Sequence, residues 1–144
     1  MLSFSICPCV AEDASAIAAL NDMCFGLPCA VSEVVRQIRS IIDCADERLF
    51  VAVYRGNMLG YIHLRVDRRT YRAPRLAIVS LAVDKDYRRK GVAKALFMTA
   101  QDMATQFSCD AVTASVGGSR AAQSFFLAVG CEEQLNRKQF FKKL

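Results

Sequence analysis

The spacing of apolar residues in the first third of the chain predicts a short strand followed by two surface helices. The strand is predicted over Phe4 to Cys9, and the first helix begins after Asp13. Its apolar residues recur every three or four positions, at Ile17, Leu20 and Cys24. The second helix, after Ser32, has one apolar stripe that comprises Val34, Val35, Ile38, Ile41 and Ile42. Each stripe predicts a helix that packs through one side.

The middle of the chain has the composition and alternation of β-strands. Two such runs, Leu49 to Tyr54 and Met58 to Val66, are joined by Arg55-Gly56-Asn57, whose Gly-Asn pair favours a tight hairpin turn. A basic, turn-rich segment from Asp67 to Arg75 then precedes Leu76 to Val83. Because this last run carries no charge, it predicts a central strand that is buried on both faces.

The last third of the chain alternates between helix and strand patterns. The predicted elements are a helix over Gly91 to Phe107, a strand over Ala111 to Val116, a helix over Ser119 to Val129 that ends at Gly130, and a closing hairpin around Asn136 within Cys131 to Leu144. Strands joined through a helix are parallel, so the loop before that helix lies at the edge of the sheet where α/β proteins bind ligands. The whole pattern predicts one α/β domain over residues 1–144, with about six or seven strands and about four helices.

Composition narrows the class of protein. No run approaches the ~18 to 20 apolar residues that a membrane span needs, and the N-terminus has no basic, apolar leader, so we expect a cytoplasmic protein without a membrane partner. Seven cysteines without a C-x-x-C pair, together with the single histidine His63, favour neither a disulfide framework nor a metal site. Reduced, buried cysteines fit a reducing compartment.

The charge is distributed unevenly. Residues 1–48 contain seven acidic and three basic residues, whereas the remainder contains seven acidic and sixteen basic residues. The basic part indicates an anionic ligand. Because the arginines are spread over a turn, a loop and a terminus rather than one helix face, a compact phosphorylated cofactor is favoured over nucleic acid.

The segment from Leu76 to Leu96 carries the strongest chemical signal. An apolar strand is followed by Arg88-Arg89-Lys90-Gly91-Val92-Ala93 and then by a helix. The first amides of a helix are unpaired and carry a partial positive charge, which favours phosphate. Gly91 allows close approach, and Lys94 adds a cation. The alternative is a solvated basic turn that precedes an ordinary helix.

Together with the strand before this loop and the helix after it, the sequence resembles the GNAT superfamily of acyl-CoA N-acyltransferases. Arg88, Gly91 and Ala93 fill the family signature of Arg or Gln, two residues, Gly, one residue, then Gly or Ala, and "LAVDKDYRRKGVAKAL" has its strand, loop and helix spacing. The resemblance implies a largely antiparallel sheet with a splayed parallel pair, and acetyl-CoA as donor without a metal. The implied cofactor-binding residues are Leu81, Ala82, Val83, Arg88, Arg89, Lys90, Gly91, Val92, Ala93, Lys94 and Ser119.

Three departures leave the catalytic residues unassigned. Phe126 stands where many members have a tyrosine that protonates the departing thiolate, and Ser119 stands where an asparagine is common. No carboxylate lies between Ala77 and Ser80, where some members carry a general base. Ser119 also suits a plain helix N-cap.

The remaining candidates for proton transfer are His63 and Tyr61, which share one face of a predicted strand. Tyr71 is a further loop candidate. A histidine on a strand is also common as a packed or surface residue.

The leading interpretation is an acetyl-CoA-dependent N-acetyltransferase that modifies a primary amine of a small molecule or peptide, as a monomer or homodimer. The alternative is a non-catalytic acyl-CoA-binding sensor or interaction module. Acidic residues in the first third suit a cationic acceptor such as a polyamine or aminoglycoside, or are exposed helix charges: Glu33, Asp43, Asp46 and Glu47.

Overall fold

A computed structural model of the protein describes residues 2–134 and 137–144. The elements in chain order are β1 (Ser5–Pro8), α1 (Ala14–Phe25), α2 (Val31–Ile42), β2 (Glu47–Tyr54), β3 (Asn57–Arg69), β4 (Arg72–Val83), α3 (Val92–Gln106), β5 (Val112–Ala114) and α4 (Arg120–Ala128). Short 3₁₀ turns precede α1 and α3, at Ala11–Asp13 and Lys85–Tyr87. No helix of the described residues combines the length and the apolar character that crossing a bilayer requires.

The strands form one sheet in the order β1-β2-β3-β4-β5, in which only the β4–β5 pair is parallel. This pairing ends at Ile78 opposite Ala114, whereas β4 continues to Val83. The predicted mixed sheet with a splayed parallel pair is therefore confirmed. Five strands are found in the described residues rather than six or seven.

Alternate residues of each strand point to opposite faces of the sheet, where they contribute to two separate apolar clusters. On one face, α3 packs through Val92, Leu96 and Phe97 against Ile62, Leu64 and Leu76. On the other face, α1 and α2 pack against Leu49, Val51, Tyr61 and Ala82. The sheet is thus covered by the two N-terminal helices on one side and by α3 on the other.

The segment Asp67 to Arg75, predicted to be a turn-rich loop, is instead the tip of a long hairpin. β3 continues to Arg69 and β4 begins at Arg72, so only Thr70 and Tyr71 form the turn. The carboxylate of Asp67 contacts Arg69 of the same strand at 2.8 Å and Arg72 across the hairpin at 3.0 Å. These contacts lower the pKa of Asp67 below its ordinary value. The cross-strand pairing compensates for the weak strand propensity of this polar stretch.

Two further predictions need correction. The hairpin turn between β2 and β3 consists of Arg55 and Gly56, both with positive φ, while Asn57 already pairs with Tyr54. The two-residue turn is favoured because its twist matches that of the strands. The expected turn at Asn136 lies outside the described residues, and the described parts of the tail, 131–134 and 137–144, contain no strand.

The central strand β4 is not buried on both faces along its length, because it bulges at Val79. His63 pairs with Ser80 and Leu64 with Ile78, so Val79 has no partner in the register of β3. The Val79 side chain is 42% exposed. A bulge bends a strand and increases its twist, and this one lies where β4 leaves β5.

Gly60 on β3 lies opposite the end of β4, at a position that has no room for a side chain. A Cβ atom at this position would lie 2.5 Å from the carbonyl oxygen of Ala82. We expect Gly60→Ala to lower the free energy of unfolding by about 1 to 3 kcal/mol through backbone displacement. Gly117→Ala is the control, since its Cβ would meet no atom within 4 Å. Urea denaturation measures both variants, and equal stability would contradict the close approach.

Candidate active site

The loop between β4 and α3 ends in an open helix N-terminus. Gly91 is the N-cap of α3, with φ of 84°, and no side chain caps the helix there. The carbonyl of Gly91 accepts the amide of Ala95 at 3.0 Å. Helix geometry therefore leaves the amides of Val92, Ala93 and Lys94 without intrahelical partners. These amides form a site of partial positive charge that suits an anion.

The start of the loop is fixed by two hydrogen bonds of Asp84. The amide of Asp84 donates to the carbonyl of Leu59 at 2.7 Å, and the Asp84 carboxylate accepts the amide of Asp86 at 2.9 Å. Arg89 has φ of 61°, an uncommon value for a residue other than glycine. The paired positive φ angles at Arg89 and Gly91 turn the chain sharply into α3.

The basic side chains of the loop have two different arrangements. Arg88 turns back to the end of β4, where its Nε donates to the carbonyl of Val83 at 3.3 Å and its Nη2 lies 3.7 Å from Sγ of Cys24. Arg89, Lys90 and Lys94 are exposed. Within the described part of the chain, none of these three forms an ion pair, so their charge is available to a ligand.

The splay between β4 and β5 opens a cavity of about 210 Å³. It is lined by Arg65, Ala77, Ile78, Val79, Thr113, Ala114 and Ser115. Beyond it, β4 has no strand neighbour on the β5 side from Val79 to Val83. A strand edge with free backbone groups accepts an extended ligand as an added strand does. The edge leads directly to the N-terminus of α3.

A second cavity, also about 210 Å³, lies between the α1–α2 pair and the sheet. We call it the helix-side cavity. It is lined by Ile17, Asn21, Cys29, Val34, Gln37, Ile38, Ile41, Leu49, Tyr61, His63 and Ser80. The two predicted candidates on β3, Tyr61 and His63, are thus brought together with Ser80 of the bulged strand.

Tyr61 is a buried hydrogen-bond donor in this cavity. Its hydroxyl donates to Oδ1 of Asn21 on α1. Burial raises the pKa of Tyr61, and the neighbouring Ser80 partly opposes that rise. Tyr61 therefore remains protonated at neutral pH and cannot act there as a base. Tyr71, the weaker loop candidate, is 76% exposed at the hairpin tip and does not line this cavity.

His63 forms the most chemically informative contact of the cavity. Its Nε2 lies 2.7 Å from Oε1 of Glu47 on β2, and both side chains are largely buried, with exposures of 13% and 19%. An imidazole that donates Nε2–H to a carboxylate has a lone pair on Nδ1. The pair is therefore arranged as an oriented proton acceptor. No local sequence pattern indicates it, because Glu47 and His63 meet only through strand register.

Ser119, at the start of α4, and Phe126, within it, make contacts that stabilise the helix and its packing. Ser119 is the N-cap of α4, and its hydroxyl accepts the amide of Ala122 at 3.2 Å. Phe126 packs in T-shaped geometry with Phe97 of α3, at 6.3 Å between ring centroids, and with Phe125 at 5.2 Å. The phenylalanine at this position thus belongs to an aromatic cluster that attaches α4 to α3.

Comparison with known proteins gives a family and a fold. The family model described as the acetyltransferase (GNAT) family matches residues 15–130. A search of curated proteins gives no significant match. Three solved structures similar to this chain are an aminoglycoside 6'-N-acetyltransferase of Acinetobacter baumannii, a glucosamine-6-phosphate N-acetyltransferase of Arabidopsis thaliana and an aminoglycoside N-acetyltransferase in complex with CoA.

These structures overlay on almost the whole chain at low sequence identity. The A. baumannii enzyme is 20% identical with a TM-score of 0.83, and 99% of each chain is covered. The A. thaliana enzyme is 16% identical with a TM-score of 0.84, covering 97% of this chain and 99% of its own. The CoA complex is 18% identical with a TM-score of 0.84, covering 98% and 95%. At such identities they establish the fold.

The N-cap role of Ser119 is testable through the local stability of α4. Ser119→Ala removes the acceptor of the Ala122 amide and destabilises the helix by about 1 kcal/mol. We expect the exchange of that amide with solvent to become about fivefold faster in hydrogen-exchange measurements. Ser119→Asp retains a capping oxygen and should behave as the wild type. Unchanged exchange in Ser119→Ala would contradict the capping role.

Proposed function

Because the chain belongs to the acetyltransferase (GNAT) family, we propose that it transfers an acetyl group from acetyl-CoA to a primary amine by direct attack. One observation carries the proposal. The free edge of β4 leads from the bulge at Val79 to the uncapped N-terminus of α3. An extended arm with a phosphorylated end matches this combination of strand edge and anion site.

In this proposal the pantetheine arm of the cofactor pairs with the main chain of Leu81, Ala82 and Val83. The pyrophosphate lies at the amides from Arg89 to Lys94, and the exposed cations Arg89, Lys90 and Lys94 add charge around it. Arg88 contributes mainly by holding the end of β4 through the Val83 carbonyl. The similar structure that contains CoA is consistent with this assignment.

The transfer itself requires that a neutral amine attack the thioester carbonyl. The C–N bond forms, the C–S bond breaks, and the nitrogen loses one proton. We assign that proton to Nδ1 of His63, which Glu47 orients through Nε2. The leaving thiolate has a conjugate thiol pKa of about 8.5, so it departs as an anion with modest assistance and takes its proton from solvent. Phe126 has no proton to give.

Two of the similar structures are N-acetyltransferases by name, one of aminoglycosides and one of glucosamine-6-phosphate. We carry over to this chain the reaction and not those acceptors. The acceptor in this proposal is an amine of a small molecule or a peptide, and the protein acts in the cytoplasm as a monomer or homodimer.

A non-catalytic acyl-CoA-binding module is the second candidate. Phe126 in the aromatic cluster and the absence of a carboxylate from Ala77 to Ser80 favour it. Such a module binds acetyl-CoA without releasing free CoA in the presence of amines. Calorimetric binding combined with a thiol-release assay on an amine panel separates the two functions, and any acceptor-dependent turnover excludes the module.

The anion site predicts a specific loss in Gly91→Glu. A carboxylate at the N-cap repels the pyrophosphate, and the φ of 84° is strained for any side chain. We expect the Kd for CoA to rise more than about tenfold in calorimetry. Gly56→Glu is the control, since it makes the same charge change at a turn glycine with φ of 77°. Equal affinities in both variants would refute the anion site.

The assignment of His63 predicts a change in rate without a change in cofactor binding. His63→Gln should lower kcat about 100-fold, because the nitrogen of the amine then loses its proton without an oriented acceptor. Glu47→Gln should lower kcat about tenfold, with the KM for acetyl-CoA unchanged in both variants. The other titratable groups of this cavity are Tyr61 and Cys29.

Two further variants test whether Glu47 acts by orienting His63 or only by stabilising the fold. The double variant of His63 and Glu47 should be no slower than His63→Gln, because Glu47 acts through the imidazole. Asp46→Asn removes an exposed ion pair with Arg68 and should leave kcat unchanged. Additive losses in the double variant, or an unchanged kcat in His63→Gln, would show that the proton goes elsewhere.

A further inference from the structure

The helix-side cavity has the chemistry of a two-sided acceptor site. Its sheet side is polar, with Tyr61, His63 and Ser80. Its helix side is mainly aliphatic, with Ile17, Val34, Ile38 and Ile41 beside the polar side chains of Asn21 and Gln37. A ligand that fills it therefore places a polar end against the sheet and a carbon skeleton against the helices.

Most polar side chains of the cavity already have a partner, either within the cavity or beside it. Asn21 accepts from Tyr61, Gln37 donates to Glu33 at 3.3 Å, and His63 contacts Glu47. A ligand with many hydroxyl or ammonium groups would leave those groups without partners in the cavity, and an unpaired buried polar group is unfavourable by about 1 to 3 kcal/mol. The lining therefore rejects a strongly polar acceptor.

The charges near the cavity also disfavour a polycation. None of the lining residues, all within the described ranges, is acidic. Of the four acidic residues expected to attract a cationic acceptor, Glu33 pairs with Arg36, Asp46 with Arg68 and Glu47 with His63. Among these four, within the described residues, only Asp43 forms no ion pair. The cavity thus offers one proton acceptor and no cluster of free carboxylates, whereas a polyamine or aminoglycoside needs several.

The size of the cavity sets a further limit. Its volume of about 210 Å³ corresponds to roughly seven water molecules of about 30 Å³ each. Pockets for drug-sized ligands occupy about 300 to 1,000 Å³. The acceptor that enters it is therefore small.

We infer that the acceptor is a small monoamine with an apolar carbon skeleton, whose nitrogen meets His63 while its skeleton contacts the aliphatic side chains of α1 and α2. This inference rests on the proposed function. It distinguishes this chain from the aminoglycoside and amino-sugar enzymes that share its fold.

An acceptor panel tests the inference on the full chain with acetyl-CoA. We expect kcat/KM for pentylamine and 2-phenylethylamine to exceed that for spermidine, glucosamine-6-phosphate and kanamycin by more than about tenfold. A higher value for any of the last three would overturn the inference and leave the acetyltransferase function intact. Turnover of none of the five, with acetyl-CoA bound, would overturn the inference, and thiol release on a panel of peptides would then decide the proposed function.

A matched pair of variants on α2 tests whether the acceptor binds in the helix-side cavity. Ile41 lines the cavity, whereas its neighbour Ile42 is 49% exposed. Ile41→Trp should raise the KM for the preferred monoamine at least about tenfold by filling the cavity, with the KM for acetyl-CoA unchanged. Ile42→Trp should leave both constants unchanged. Equal effects of the two variants, or none, would show that the monoamine binds outside this cavity.

Discussion

The separation of β4 from β5 after Ile78 is the constraint on which the candidate active site depends. If the parallel pairing continued to Val83, the backbone of Leu81 to Val83 would bond to β5, and neither the free strand edge nor the splay cavity would exist. The bulge at Val79 and the close crossing at Gly60 hold β4 in its bent path. The loop to α3 then begins where the free edge ends. One distortion of the sheet thus places a strand edge, an anion site and a cavity side by side.

The N-terminus of α3 and the helix-side cavity differ in the groups that they offer to a ligand. At α3 the binding groups are backbone amides and mobile surface cations, which recognise charge and tolerate variation in side chains. In the helix-side cavity the decisive groups are buried side chains with fixed partners, the His63–Glu47 and Tyr61–Asn21 pairs. In the proposed function, recognition of the donor is therefore encoded locally in the loop, whereas recognition of the acceptor is distributed over α1, α2, β2 and β3.

This difference explains how much could be predicted from the sequence. Gly91, the flanking strand and the start of α3 follow from a contiguous pattern, so this strand, loop and helix are recovered in the fold, as is the splayed sheet that the family resemblance implies. The Glu47–His63 contact depends on the register of β2 against β3, which no local periodicity specifies. The hairpin at Asp67 to Arg75 was missed for a related reason, because ion pairs along and across the strands stabilise a segment whose own composition indicates a loop.

The replacement of a tyrosine by Phe126 need not remove catalysis, because the reaction requires proton removal more than proton donation. A neutral amine that has attacked the carbonyl carries a positive charge, and without a proton acceptor it leaves again in place of the thiolate. A thiolate, by contrast, is a stable leaving group near neutral pH. His63 and Glu47 address the first requirement from a position that is buried and oriented. The aromatic cluster of Phe97, Phe125 and Phe126 is then free to serve packing, and α4 stabilises the site without entering its chemistry.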